Sequence, residues 1–258
     1  MIRLSKPYAY PILTHSGIFV RWTYIAQIFR YRVYFNPKIL KTGEGMKLVR
    51  KAERNAIMTE EIRIIEQEIM DRMVRLNQLQ KQNPGREVPN YTFQTLEGEV
   101  TLLELFGKRN HLLMIHNMGQ GCRYCTLWAD GFNGFVPHLE SALSLVLVSR
   151  DAPELQQRFA RNRGWTFRMA SHGGGAYIRE QTVDKDSQNA PGAVVYEKRD
   201  GKIYRKNDSG FGPGDIYCSM WSLLGLAGLG ENEWTPQFHY WSRPQQMDDG
   251  GLNIIDHP

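Results

Sequence analysis

Two short apolar runs, His111–His116 (HLLMIH) and Leu143–Val148 (LSLVLV), flank one helical stretch. Runs of this length, rich in Leu, Ile and Val, read as buried strands. A strand, a helix and a second strand in that order call for parallel pairing through a right-handed crossover. The helix must then begin just beyond the C-terminal end of the first strand, and its first turn carries Cys122 and Cys125. After the second strand, Asp151-Ala152-Pro153-Glu154 reads as a capping box opening another helix, which Gly164 closes.

Downstream the pattern changes to a hairpin. Pro191-Gly192 leads into Ala193–Tyr196, and Arg199-Asp200-Gly201 turns the chain into Lys202–Arg205. The expected domain, residues 85–242, is therefore α/β, with a mixed sheet that is parallel at its start and closed by an antiparallel hairpin. Residues 171–190 and 210–215 read as loops, residues 219–227 as a helix, and residues 243–258 as a tail.

Upstream, residues 46–84 form an amphipathic helical segment. Ile62, Ile65, Ile69, Met73, Leu76 and Leu79 recur every three or four positions, Thr59-Glu60-Glu61 suits a helix start, and Pro84-Gly85 a stop. Such a stripe packs against the domain or against a second subunit, which makes residues 59–82 the candidate homodimer contact. Residues 1–45 differ in kind. They hold seven basic side chains against the single acid Glu44, which exceeds the whole chain's net charge of +5, so the remainder is close to neutral and has no basic footprint for nucleic acid. This aromatic leader admits three readings: a weak signal-like segment, a basic anchor at a membrane surface, or an extension ahead of a natural start at Met46. No 18-residue apolar run is present, so a spanning helix is not expected, and the cytoplasm is the expected location.

The chemistry lies in Cys122 and Cys125. A thiolate attacks a disulfide through a mixed disulfide, and a second cysteine one helical turn away can resolve it. Gly119-Gln120-Gly121 gives the chain a flexible entry, so Cys122 falls at the helix N-terminus, where free N–H groups and the dipole favour its thiolate. Cys122 is the expected nucleophile and Cys125 the resolving thiol. Arg123 between them favours the thiolate further. Three cysteines in a chain of 258 residues do not form a disulfide framework.

The run Gly121-Cys122-Arg123-Tyr124-Cys125-Thr126-Leu127-Trp128-Ala129-Asp130-Gly131, together with Gly164-Trp165, Pro191-Gly192 and Phe211-Gly212-Pro213-Gly214-Asp215, resembles a bacterial family of uncharacterised thioredoxin-like proteins, predicted dithiol-disulfide oxidoreductases. The resemblance spans about residues 88–241. It implies a thioredoxin-like fold, with Pro191 before the hairpin facing the dithiol through a cis peptide bond. Thioredoxins proper place a carboxylate six residues before the first cysteine; here His116 stands there, a residue able to shuttle a proton near neutral pH. Tyr124, Trp128 and Asp130 are expected to line the site. Trp128 also reads as core, and Asp130 as the end of its helix or the cap of the next segment.

Thiol–disulfide exchange with a protein or small-molecule thiol, without a cofactor, is thus the leading function. Two competitors remain. Cys122, Cys125, Cys218 and His172 could bind zinc, although only one C-x-x-C exists and Cys218 has no partner at ligand spacing. Alternatively, the chain is a non-catalytic interaction module. A peroxidase is disfavoured because no P-x-x-x-T-x-x-C pattern surrounds Cys122.

Overall fold

A computed structural model describes residues 43–238. The leader up to residue 42 and the tail from residue 243 lie outside them. The described chain divides into two compact units that meet after Asn77.

The described part of the first unit belongs to one long helix, α1 (Gly43–Gln82), whose 40 residues span about 60 Å at 1.5 Å per residue. Thr59 does not start it. Four residues after Asn55, its hydroxyl donates to the Asn55 carbonyl at 2.9 Å, an ordinary arrangement inside a helix. Ile62, Ile65 and Ile69 are about half exposed. No helix among the described residues is long and apolar enough to cross a membrane.

The second unit contains eight strands and the remaining helices. In chain order these are β1 (Arg86–Val88), β2 (Thr92–Thr95), β3 (Gly98–Thr101), α2 (Leu102–Leu105), β4 (His111–His116), α3 (Arg123–Asn133), α4 (Val136–Ala142), β5 (Ser144–Ser149), α5 (Pro153–Arg163), β6 (Arg168–Ser171), α6 (Ala176–Gln181), β7 (Gly192–Arg199), β8 (Lys202–Gly210) and α7 (Ser219–Leu226). All strands join one sheet in the order β1-β8-β7-β4-β5-β6-β2-β3. β4, β5 and β6 run parallel, while β7 lies antiparallel to β4 and pairs with β8 as the expected hairpin. Asp200 and Gly201 turn that hairpin at φ 50 and 74, the positive values its tight turn needs. This is the thioredoxin-like mixed sheet flanked by helices, with the N-terminal helical extension.

The period-two alternation of the strands divides the core. Leu112 and Met114 of β4 join Val146, Val148, Ala170, Val194 and Tyr196 on one face, covered by Leu102, Leu105, Tyr177 and Ile178. Leu113 and Ile115 join Leu145 and Leu147 on the other, beneath Ala129 of α3, Val136 of α4 and Phe159 of α5.

Several local expectations are corrected. The start of α5 is no capping box. Ala152 occupies the N-cap with no side-chain bond, Pro153 follows it, and the Asp151 carboxylate instead accepts the Gln120 N–H at 2.8 Å. Residues 171–190 are not all loop, since they include the end of β6 and the whole of α6. The short strands β1–β3 and the Thr101/Glu104 capping box of α2 are not among the expected elements.

Candidate active site around Cys122 and Cys125

β4 delivers the chain to the dithiol. Asn117 N–H continues the parallel ladder to the Val148 carbonyl, and the Asn117 side chain accepts the Gly119 N–H at 2.8 Å, an Asx turn that starts the loop. Gly119 has φ 116, a left-handed value that favours glycine, and a Cβ there would sit 2.9 Å from an Asp151 carboxylate oxygen and push that side chain aside. The loop then places Cys122 at the N-cap of α3.

At that cap the Cys122 sulfur accepts the Cys125 N–H at 3.1 Å. Cys122 is partly exposed and Cys125 buried, and both are free thiols. The two sulfurs are therefore inequivalent. The Cys125 thiol, the N–H groups at the helix start and the Arg123 charge outweigh partial burial and lower the Cys122 pKa to about 7. The Cys125 pKa moves the other way, raised by its bond to Cys122, by burial and by the neighbouring negative charge. Its sulfur accepts the Met118 N–H at 3.4 Å. An accessible thiolate above a buried thiol is the division of labour that nucleophile and resolving cysteine require.

The lining residues separate on inspection. Tyr124 stacks on Trp221, with ring centroids 6.3 Å apart, and its hydroxyl donates to Glu231 at 3.3 Å. Trp128 is 3% exposed, and its indole N–H donates to Asp215 at 2.8 Å. Asp130 does not end α3. From within the helix it makes a two-point ion pair with Arg163 of α5 and accepts the Trp165 indole N–H at 2.8 Å. Trp128 and Asp130 thus tie the dithiol helix to the Phe211–Asp215 and Gly164–Trp165 segments. The described residues contain no cis peptide bond, so Pro191 is trans. It precedes Gly192, which pairs with His116, and its carbonyl accepts the Phe211 N–H at 2.9 Å.

The setting of His116 works against the expected proton shuttle near neutral pH. It is 2% exposed on the sheet face bearing Tyr177, and its Nε2 lies 2.6 Å from the Tyr177 hydroxyl. Burial, reinforced by the Arg205 and His172 charges, lowers its pKa to about 3 and keeps the ring neutral. The Tyr196 hydroxyl donates to Tyr177 at 3.2 Å, completing a buried His-Tyr-Tyr chain that spacing along the sequence could not reveal.

The zinc alternative gains no geometry. Among the described residues no group of three or more His, Cys, Asp or Glu could hold a metal ion. His172 Nδ1 accepts the Gly174 N–H at 3.1 Å, and Cys218 caps α7 within an aromatic cluster with Trp128 and Trp221. Sequence reasoning missed Asp215 as a structural centre. Its two carboxylate oxygens accept four donors: the Trp128 indole and the Gly212, Tyr217 and Cys218 N–H groups. The only sequence signal was its place at the end of a glycine- and proline-rich turn.

A family model described as "Bacterial protein of unknown function (DUF899)" matches residues 47–247. Among curated proteins no match is found. Solved structures similar to this chain include peroxidoxin BcpB from Mycobacterium tuberculosis, at 16% identity and a TM-score of 0.42, covering 50% of this chain and 85% of that one. The bacterioferritin comigratory protein of Xanthomonas campestris is similar at 16% identity and 0.41, with 53% and 88% covered. A peroxiredoxin-like protein from Aquifex aeolicus is similar at 17% identity and 0.40, with 49% and 74% covered.

Proposed function

This chain belongs to the DUF899 family of bacterial proteins of unknown function, and we propose that it is a thiol–disulfide oxidoreductase working through Cys122 and Cys125. The observation that carries the reading is the 3.1 Å bond from the Cys125 N–H to the Cys122 sulfur at the start of α3, with Cys122 accessible and Cys125 buried behind it.

In the reducing direction, the Cys122 thiolate attacks one sulfur of a substrate disulfide. A Cys122–substrate bond forms, the substrate S–S bond breaks, and the departing thiolate takes a proton. Cys125 then loses its proton and attacks the Cys122 sulfur, closing the intramolecular disulfide and expelling the second substrate thiol. Two electrons pass from protein to substrate, and a reducing thiol runs the steps backwards. Arg123 supports the Cys122 thiolate, Tyr124 and Trp128 wall the helix, and Asp130 holds it in place. His116 at the end of β4 and Pro191 just before β7 line the site. No cofactor enters. The partner is a thiol or disulfide, a reducing cytoplasm would keep the pair ready as a dithiol, and α1 joins two copies through residues 59–82.

The test is a redox titration against glutathione buffers, with thiols trapped by alkylation and identified by mass spectrometry. A reversible two-electron transition confined to Cys122 and Cys125 is expected. If no disulfide joins them at any potential, the oxidoreductase reading is wrong.

A further inference from the structure

We infer that Arg123 is a specificity-determining residue that selects disulfides carrying a carboxylate, the class formed by amino-acid and small-peptide thiols. The inference rests on the oxidoreductase reading and names the substrate class of that site.

Three observations support it. First, Arg123 is the residue immediately after the nucleophile, and its charge acts on both the Cys122 sulfur and the Tyr124 hydroxyl. Secondly, among the described residues this partly buried guanidinium makes no ion pair or hydrogen bond. Its Nη1 is fully covered yet has no acceptor. A covered guanidinium N–H without an acceptor is costly unless something supplies one. Thirdly, the carboxylates bonded to the neighbouring residues make no ion pair with it: Asp151 accepts the Gln120 N–H and Glu231 the Tyr124 hydroxyl. On the other side of Cys122, the Gln120 Oε1 is likewise covered and without a donor. An unmet donor and an unmet acceptor thus lie, in sequence, one residue after and two residues before the nucleophile. A carboxylate accepts from the first, and an amide or ammonium N–H of the same molecule donates to the second. When such a ligand swings Arg123 outward, the guanidinium fork meets the carboxylate as the thiolate meets the S–S bond.

The chemical step is unchanged: Cys122 sulfur bonds to one substrate sulfur, the other leaves as a thiol, and Cys125 completes the two-electron transfer. The test compares reoxidation rates of the reduced full-length protein by oxidised glutathione, which has carboxylates and amides, and by hydroxyethyl disulfide, which has neither. Measurements are made on the wild type, Arg123→Met and Arg123→Lys. Loss of the positive charge also alters the Cys122 thiolate population, but this affects both substrates alike and cancels in the ratio of the two rates; general Coulomb attraction of the anionic disulfide does not cancel, and Arg123→Lys, which keeps the charge, separates it from the guanidinium contact. We expect Arg123→Met to lower the ratio about tenfold or more, the scale of one hydrogen bond to a charged group, and Arg123→Lys to retain part of it. An unchanged ratio in both variants overturns the inference while leaving the oxidoreductase reading standing. Failure of the wild type to react with either disulfide overturns both.

Discussion

The indole N–H of Trp128, three residues beyond the buried cysteine, donates at 2.8 Å to a carboxylate oxygen of Asp215, which lies 87 residues further along the chain. Through that contact the dithiol helix α3 is fastened to the loop leading into α7. Asp215 also accepts the Gly212, Tyr217 and Cys218 N–H groups. Replacing it with alanine leaves a mostly buried indole and three backbone donors without their acceptor. The expected loss is about 2–4 kcal/mol, seen as a fall in the urea midpoint with little change in slope. Cys218, 7% exposed in the native protein, should become open to alkylation. A loss below about 0.5 kcal/mol, the level of an ordinary surface substitution, would mean that the loop is held by its aromatic packing instead.

The asymmetry of the two thiols is open to direct measurement. Alkylation of the reduced protein by iodoacetamide, followed by peptide mass spectrometry, should place the Cys122 midpoint near pH 7. Cys125 should resist modification well above pH 9. The sign of the linkage follows: because folding lowers the Cys122 pKa, the thiolate's contribution to stability is complete above the unfolded value near 9 and is lost as pH falls through 7. Arg123→Met should move the midpoint upward. Equal reactivity of Cys122 and Cys125 would contradict the assigned roles.

Much of this architecture was readable as periodicity. The runs that became β4 and β5 are apolar because both sheet faces are covered, and Asp200-Gly201 marked the hairpin because few other pairs tolerate its turn. Strands such as β2, with the sequence TFQT, carry no clear periodic signal because they are short and half polar. The Thr101/Glu104 capping box of α2 was legible and was passed over. The errors at Asp130 and Asp151 share another cause. Each carboxylate was assigned to its own helix end, but its partner, Arg163 or Gln120, comes from another segment of the chain. Side-chain bonds that close over 30 or more residues leave no local pattern, and those bonds are what position the site.

Two histidines should make the fold acid-sensitive. His116 and His172 are buried, with pKa values lowered to about 3 and about 4, from an ordinary value of 6.5. As pH falls below 6.5 the unfolded chain takes up protons that the native state refuses, so stability declines. The slope is up to about 1.4 kcal/mol per pH unit for each ring. Urea midpoints at pH 7 and pH 5 should show the decline, and the ring resonances of both residues should stay at neutral-form positions from pH 8 to pH 5. A ring titrating near 6.5 would refute this and reopen a proton-transfer role for His116.

The long helix supplies the last prediction. Met58, Ile62, Ile65 and Ile69 follow at intervals of four, three and four, the spacing of a coiled-coil seam, and Leu76 and Leu79 prolong it. Asn55 and Arg72 occupy seam positions, and a polar residue there commonly fixes register at some cost in stability. The four leading side chains stand 49–56% exposed. Burying each fully is worth about 1.5–3 kcal/mol, enough in total to join helices that in isolation are marginal in water. Under the proposed homodimer, sedimentation equilibrium should give twice the chain mass. Combining Ile62→Asn, Ile65→Asn and Ile69→Asn should return it to one chain mass with the dithiol midpoint unchanged. The second half of that expectation matters most: because Cys122 and Cys125 are held by β4, Asp130 and Asp215, all beyond Asn77, their chemistry should survive loss of the assembly. A wild type at single-chain mass at tens of micromolar would rule out self-association through this helix.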